Sequence, residues 1–162
     1  MNRSHAIQQL MHQHNLSTAD IYLLDLIPLI EMIWADGKIE EPEIKLLYDF
    51  ALKHVVQLTV MAHGEEVVSI SEVNLFIERF TKERPDPNLL KQLRNFVAAT
   101  IKGYDEENRS SKSDSILFYC MDIAAACISV EGQPPCRIGD EEKKTLLEIM
   151  KAFNISPERA VA

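Results

Sequence analysis

Four carboxylates fall at matching places in two turns of the chain, and their type suits oxygen coordination of a hard cation. The first turn reads Trp34-Ala35-Asp36-Gly37-Lys38-Ile39-Glu40-Glu41-Pro42-Glu43. The second begins Ser129-Val130-Glu131-Gly132, carries Gln133-Pro134-Pro135-Cys136 as an insertion, and resumes as Arg137-Ile138-Gly139-Asp140-Glu141-Glu142. With Gly37 laid on Gly132, Asp36 falls on Glu131, Lys38 on Arg137, Ile39 on Ile138 and Glu43 on Glu142. Asp36, Glu43, Glu131 and Glu142 therefore form the candidate metal-ligating set, and oxygen ligands from separate turns suit Ca²⁺ or Mg²⁺ better than Zn²⁺. The same four could hold Mg²⁺ and activate water in a metal-dependent hydrolase. A purely local reading competes with both, because an acid in the first turn of a helix gains ~0.3–1 kcal/mol against the dipole without any ligand. The first turn does not close around an ion alone. The first matches the back half of an EF-hand loop, but the places of its first and third ligands hold Met32 and Trp34, which offer calcium no oxygen.

Other reactive side chains give weaker signals. Cys120 and Cys127 sit seven apart on one expected helix and read as buried hydrophobes. Cys136 follows two prolines and precedes Arg137, whose charge would lower its thiol pKa, so it is the candidate reactive thiol. His5, His12 and His14 near the amino terminus read as solvated imidazoles with no converging geometry. No Gly-x-Ser-x-Gly elbow, P-loop, His-Glu-x-x-His or Cys-x-x-Cys is present. Lys38 and Arg137 are the basic residues aligned with the acidic turns, too few to suggest a substrate clamp, and the reading is a non-enzymatic protein.

The elements that must position these carboxylates are helices throughout, because no run of period-two alternation or Asn-Gly hairpin occurs. A polar first helix is expected over residues 3–14. Ser17 with Asp20 forms a capping box for a long apolar helix through Trp34, kinked where Pro28 removes a donor. Gly37 stops it, and Glu41-Pro42 opens the next helix, which runs to His63-Gly64. Ser71 begins a helix carrying Val73, Phe76, Ile77 and Phe80, and Asp86-Pro87 begins another that closes at Gly103. Residues 104–113 are the least apolar stretch and read as a loop between the two halves. Ser113 or Ser115 then starts a helix to Val130, Asp140 caps a helix to Phe153, and Ser156-Pro157 starts a last short turn. The expected fold is an all-α single-domain bundle of seven to eight helices over residues 1–162, with pseudo-repeated units at about 18–62 and 113–154.

Ala35-Asp36-Gly37-Lys38-Ile39-Glu40-Glu41-Pro42-Glu43, with its second copy around Glu131-Gly132 and Ile138-Gly139-Asp140-Glu141-Glu142, resembles the motif of the TerB-like family. These are bacterial helical proteins associated with tellurite resistance, and they include the amino-terminal region of some membrane-anchored J-domain co-chaperones. The resemblance covers roughly residues 20–155. It implies a compact bundle in which the two units pack as pseudo-equivalent pairs, with the motif acids forming a shared cation-binding or docking surface. It further implies an adaptor in tellurite, metal or envelope stress, with a protein partner and a place in a membrane-associated stress-response complex. The second unit departs from the pattern, with Glu131 in place of aspartate and four extra residues in the turn. No J-domain follows in this sequence, so a complete co-chaperone is not expected.

Charge and length agree with this. The chain has 162 residues, 25 Asp and Glu against 17 Lys and Arg, and a net charge of -8, with no basic cluster to meet phosphates. Nucleic acid is therefore not an expected partner; a cation or basic protein is. The most apolar stretch, Ile21 to Trp34, carries Asp25, Pro28 and Glu31 and is too short to span a bilayer. Three cysteines without framework spacing, and no apolar run after Met1, suit a cytoplasmic protein.

Overall fold

A helix with no polar face has to sit inside, and residues 27–33 come close to that condition. In the computed structural model, which describes residues 3–37, 39–126 and 139–155, they form the centre of the molecule. The described residues form eight α-helices: α1 (Arg3–His14), α2 (Thr18–Tyr22), α3 (Ile27–Trp34), α4 (Glu41–Met61), α5 (Ile70–Thr81), α6 (Pro87–Lys102), α7 (Glu106–Ala125) and α8 (Asp140–Ala152). A single 3-10 turn, Leu24–Leu26, joins α2 to α3, and no strand occurs among the described residues. In α3, Ile27, Pro28, Leu29, Ile30, Met32 and Ile33 are all buried. It packs most extensively on α7 and also against α4, α6 and α8. One contiguous apolar core results, running from Leu16 through Phe76 and Phe80 to Ile149 and Phe153.

Local chemistry sets most of the boundaries. Ser17 and Asp20 form the expected reciprocal cap, each accepting the other's backbone N–H, at 3.2 and 2.9 Å. Asp86 accepts the Asn88 N–H at 2.9 Å ahead of Pro87. Gly37 takes φ +80 and ends the approach to the first acidic turn. The α4 helix unwinds through His63 and Gly64, both at positive φ, where the Gly64 N–H returns to the Thr59 carbonyl at 2.9 Å. Trp34 donates its indole N–H to the Phe80 carbonyl at 2.8 Å, satisfying an acceptor in the last turn of α5.

Several expectations are corrected. Pro28 does not kink a long helix; the chain breaks before it, and Pro28 occupies the first turn of α3, where its missing N–H costs nothing. Ser69, not Ser71, caps α5, accepting the Glu72 N–H at 3.1 Å. Gly139, not Asp140, occupies the cap position of α8. The largest correction falls on residues 104–113, expected as a loop. Asp105 accepts the Asn108 N–H at 2.8 Å and starts α7 there, some eight residues before the expected Ser113. Cys127, Cys136, the rest of residues 127–138 and the turn expected at Ser156 lie outside the described residues.

Candidate functional site

The amino-terminal ends of α4 and α8 lie near enough for acids of both turns to act on one another's ionisation. On α4, the Glu40 backbone N–H donates to Glu43 Oε1 at 2.9 Å. On α8, the Gly139 N–H donates to Glu142 Oε1 at 3.1 Å. The two helices thus open alike, with a glutamate at the third position folded back on its own cap. Glu43 is only 3% exposed. Burial pushes its carboxyl up to about 8, and the charges of Asp36, Glu40 and Glu142 push the same way, against the pull of the Glu40 N–H. Glu142 is raised as well, first by burial and then by Asp36 and Glu40. Gly37 leaves room that a side chain would contest, since a Cβ there would stand 3.3 Å from Arg84 Nη1.

Of the four carboxylates chosen from sequence, Asp36, Glu43 and Glu142 therefore share one junction, and Glu131 lies outside the described residues. Lys38, aligned with Arg137, also lies outside them. Glu40 belongs to the junction, and Arg84 Nη1 approaches Gly37 beside it; neither is among the four residues chosen from sequence. Glu40 was visible inside the motif, whereas Arg84 lies 47 positions beyond Gly37 and no spacing points to it. Among the described residues, no three His, Cys, Asp or Glu side chains stand in an arrangement that would hold a metal ion unaided.

A second polar group lies inside the core. Arg94 of α6, 4% exposed, donates from Nη1 to Glu31 Oε2 of α3 at 2.8 Å and reaches Glu148 of α8 at 3.7 Å. Burial pushes the Glu31 carboxyl up to about 7, against the attraction of Arg94. Glu31 Oε1 and Arg94 Nε are buried without a hydrogen-bond partner. Cys120 of α7 is fully buried, and burial, with Glu31 nearby, holds its thiol well above the ordinary range. This agrees with its reading as a packing residue.

A third group lies between α4 and α7. His54 donates from Nε2 to the Tyr22 carbonyl at 2.7 Å, and its Nδ1 accepts from Lys112 Nζ at 3.0 Å. A carbonyl only accepts and an ammonium only donates, so His54 is neutral with its proton on Nε2. Burial, joined by the Lys112 charge, holds its pKa down although Asp25 opposes the shift. Lys112 also pairs with Asp25 Oδ2 at 2.8 Å. The sequence gives no sign of this group, because residues 104–113 lack the apolar period of a helix. His14, by contrast, hydrogen-bonds Gln92 at 3.0 Å, an ordinary surface contact.

No helix among the described residues is long and apolar enough to cross a membrane. No family model matches the chain, and no characterised protein or solved structure matches it.

Proposed function

We propose that this chain is a non-enzymatic, TerB-like adaptor whose acidic junction responds to a divalent cation. The observation that carries the reading is the approach of Glu43 on α4 to Glu142 on α8, 99 positions apart, with Asp36 and Glu40 beside them. Each glutamate has one oxygen engaged by its own helix cap, which leaves the other to a cation. Burial first and the neighbouring acids second raise both carboxyls; a divalent ion would relieve the second, and all the candidate donors are hard oxygens, as Ca²⁺ and Mg²⁺ prefer. Glu131, equivalent in sequence to Asp36, is the fourth donor of this proposal. A cation held between α4 and α8 would couple the two repeat units, so that loading alters the surface offered to a protein partner in tellurite, metal or envelope stress.

Arg84 favours a second reading. Its guanidinium already approaches Gly37, so a basic side chain of a partner could take the cation's place and the junction would dock protein without metal. Thermal melts separate the two. If an ion binds only the folded state, Ca²⁺ or Mg²⁺ raises the midpoint over an EDTA reference, and a Glu43→Gln, Glu142→Gln double variant loses the response. Flat melts with Ca²⁺, Mg²⁺ and Zn²⁺ would leave the metal-free docking surface. Recovery of the same partner by wild type and by that double variant would remove docking too.

A further inference from the structure

We propose that the cleft between α4 and α7 binds a small amphipathic anion, a molecule with a carboxylate or phosphate head and an apolar body. The cleft has a volume of about 540 Å³, within the range of small-molecule sites. Its charged lining is Asp25, Lys53 and Lys112, with Asp49 pairing Lys53 at the rim. What selects for an anion is the ammonium donor that Lys112 leaves unused at the base.

The charge at the base of the cleft is built in. Lys112 is held at 16% exposure by Asp25 and by the neutral ring of His54, which take two of its three N–H donors. The third has no protein partner among the described residues. Phe50 supports this base, stacked parallel to His54 at 6.1 Å and edge-on to Tyr119 at 5.0 Å. At the mouth, Lys53 donates to the Tyr119 hydroxyl at 2.8 Å and pairs with Asp49 at 3.1 Å. Ser111 and Asn108 offer hydrogen bonds on the α7 side. Along α4 the lining turns apolar through Leu58 to Met61, which is 72% exposed. A ligand with its head on Lys112 and its body toward Met61 satisfies the unused donor and covers the exposed apolar surface at once. A cationic amphiphile would set its charge against Lys112 and Lys53. The acidic junction takes no part in this inference, which stands or falls separately from the cation reading.

Calorimetric titration of the full chain with decanoate, decyl phosphate and decyltrimethylammonium, each kept below its micelle concentration, tests it. The expected result is saturable one-to-one binding of decanoate, decyl phosphate or both, and none of the cation. The preferred head distinguishes a carboxylate from a phosphate ligand. Lys112→Met should weaken binding by about tenfold or more, the scale of one lost charged hydrogen bond. Because that variant strands Asp25 and could unfold, Ser111→Trp at the exposed rim serves as a second probe, closing the mouth while leaving the polar base intact. No saturable binding of either anion, equal binding of the cation, or unchanged affinity in folded Ser111→Trp would overturn the proposal.

Discussion

Glu43 carries two opposed demands, a cap bond that favours its charge and a buried, acid-crowded setting that disfavours it. The second wins, since its carboxyl stands near 8 where an ordinary glutamate stands at 4.5. Between those values the folded chain keeps a proton that the unfolded chain has released, so the contribution of Glu43 to stability falls as pH rises through this window. Glu43→Gln removes the charge and keeps an oxygen for the Glu40 N–H. It gives up ~0.3–1 kcal/mol of charge–dipole attraction and is relieved of a larger penalty from burial and repulsion. Thermal melts without divalent ions should therefore show the variant more stable at pH 8 by ~1 kcal/mol, a midpoint rise of about 2–4 °C. Near pH 4.5 the two proteins should melt together. A variant less stable than wild type at pH 8 would mean that Glu43 is ionised at no cost. At this scale the sequence was informative where residues recur in register, as with Asp36, Glu43 and Glu142. It was silent where a partner comes from far along the chain: Arg94 meets Glu31 across 63 positions and Lys112 meets His54 across 58.

Helices announced themselves where a cap and an apolar period coincide, and were misjudged where one is missing. The α5 and α6 helices have both, so their existence was plain and their starts were placed within two residues. The run around Pro28 is apolar nearly throughout, so its periodicity could not reveal a break between α2 and α3. The first two turns of α7 fail in the opposite sense. Glu106, Glu107, Asn108, Arg109, Ser110 and Ser111 offer no apolar stripe, yet the backbone is helical and its next turn buries Ser113 and most of Lys112. Polarity here marks a polar inward face and not an absence of structure. Asp105 holds that start, with Oδ1 on the Asn108 N–H and Oδ2 on the Asn108 side-chain amide at 2.9 Å. Asp105→Ala should cost ~1 kcal/mol, as loss of an N-cap generally does. Amide hydrogen exchange should quicken at Asn108 and Arg109 while the buried turns around Leu117 and Cys120 stay protected. Unchanged exchange at Asn108 would show that packing, not the cap, fixes this end.

The whole molecule is organised so that neither half of the chain can complete the core by itself. A helix as apolar as α3 needs cover on several sides, and α4 and α6 from its own half supply only part of it. The remainder comes from α7 and α8, whose Ile116, Leu117, Cys120, Ile123 and Ile149 are buried in the same core. The Arg94 bridge crosses the same division, tying α6 to Glu31 of α3 and Glu148 of α8. A fragment ending at Gly103 would expose Leu29, Ile30 and Ile33 and leave Glu31 and Arg94 without the apolar cover that encloses them. Separate chains of residues 1–103 and 104–162 should each lack a cooperative thermal transition, and mixing them should restore one together with the native fluorescence of the half-buried Trp34. The intact chain should melt in a single step, since one core serves both halves. If residues 1–103 alone melted cooperatively with native-like Trp34 emission, the second unit would be an appendage to a finished domain. The meeting of α4 with α8 at the acidic junction would then be a docked interface, open to separation without unfolding. In the single-core arrangement, any force that drives Glu43 and Glu142 apart must also strain the packing of α3. A ligand at the junction would therefore register in global stability, which is why the melting midpoint is the natural readout for the cation proposal.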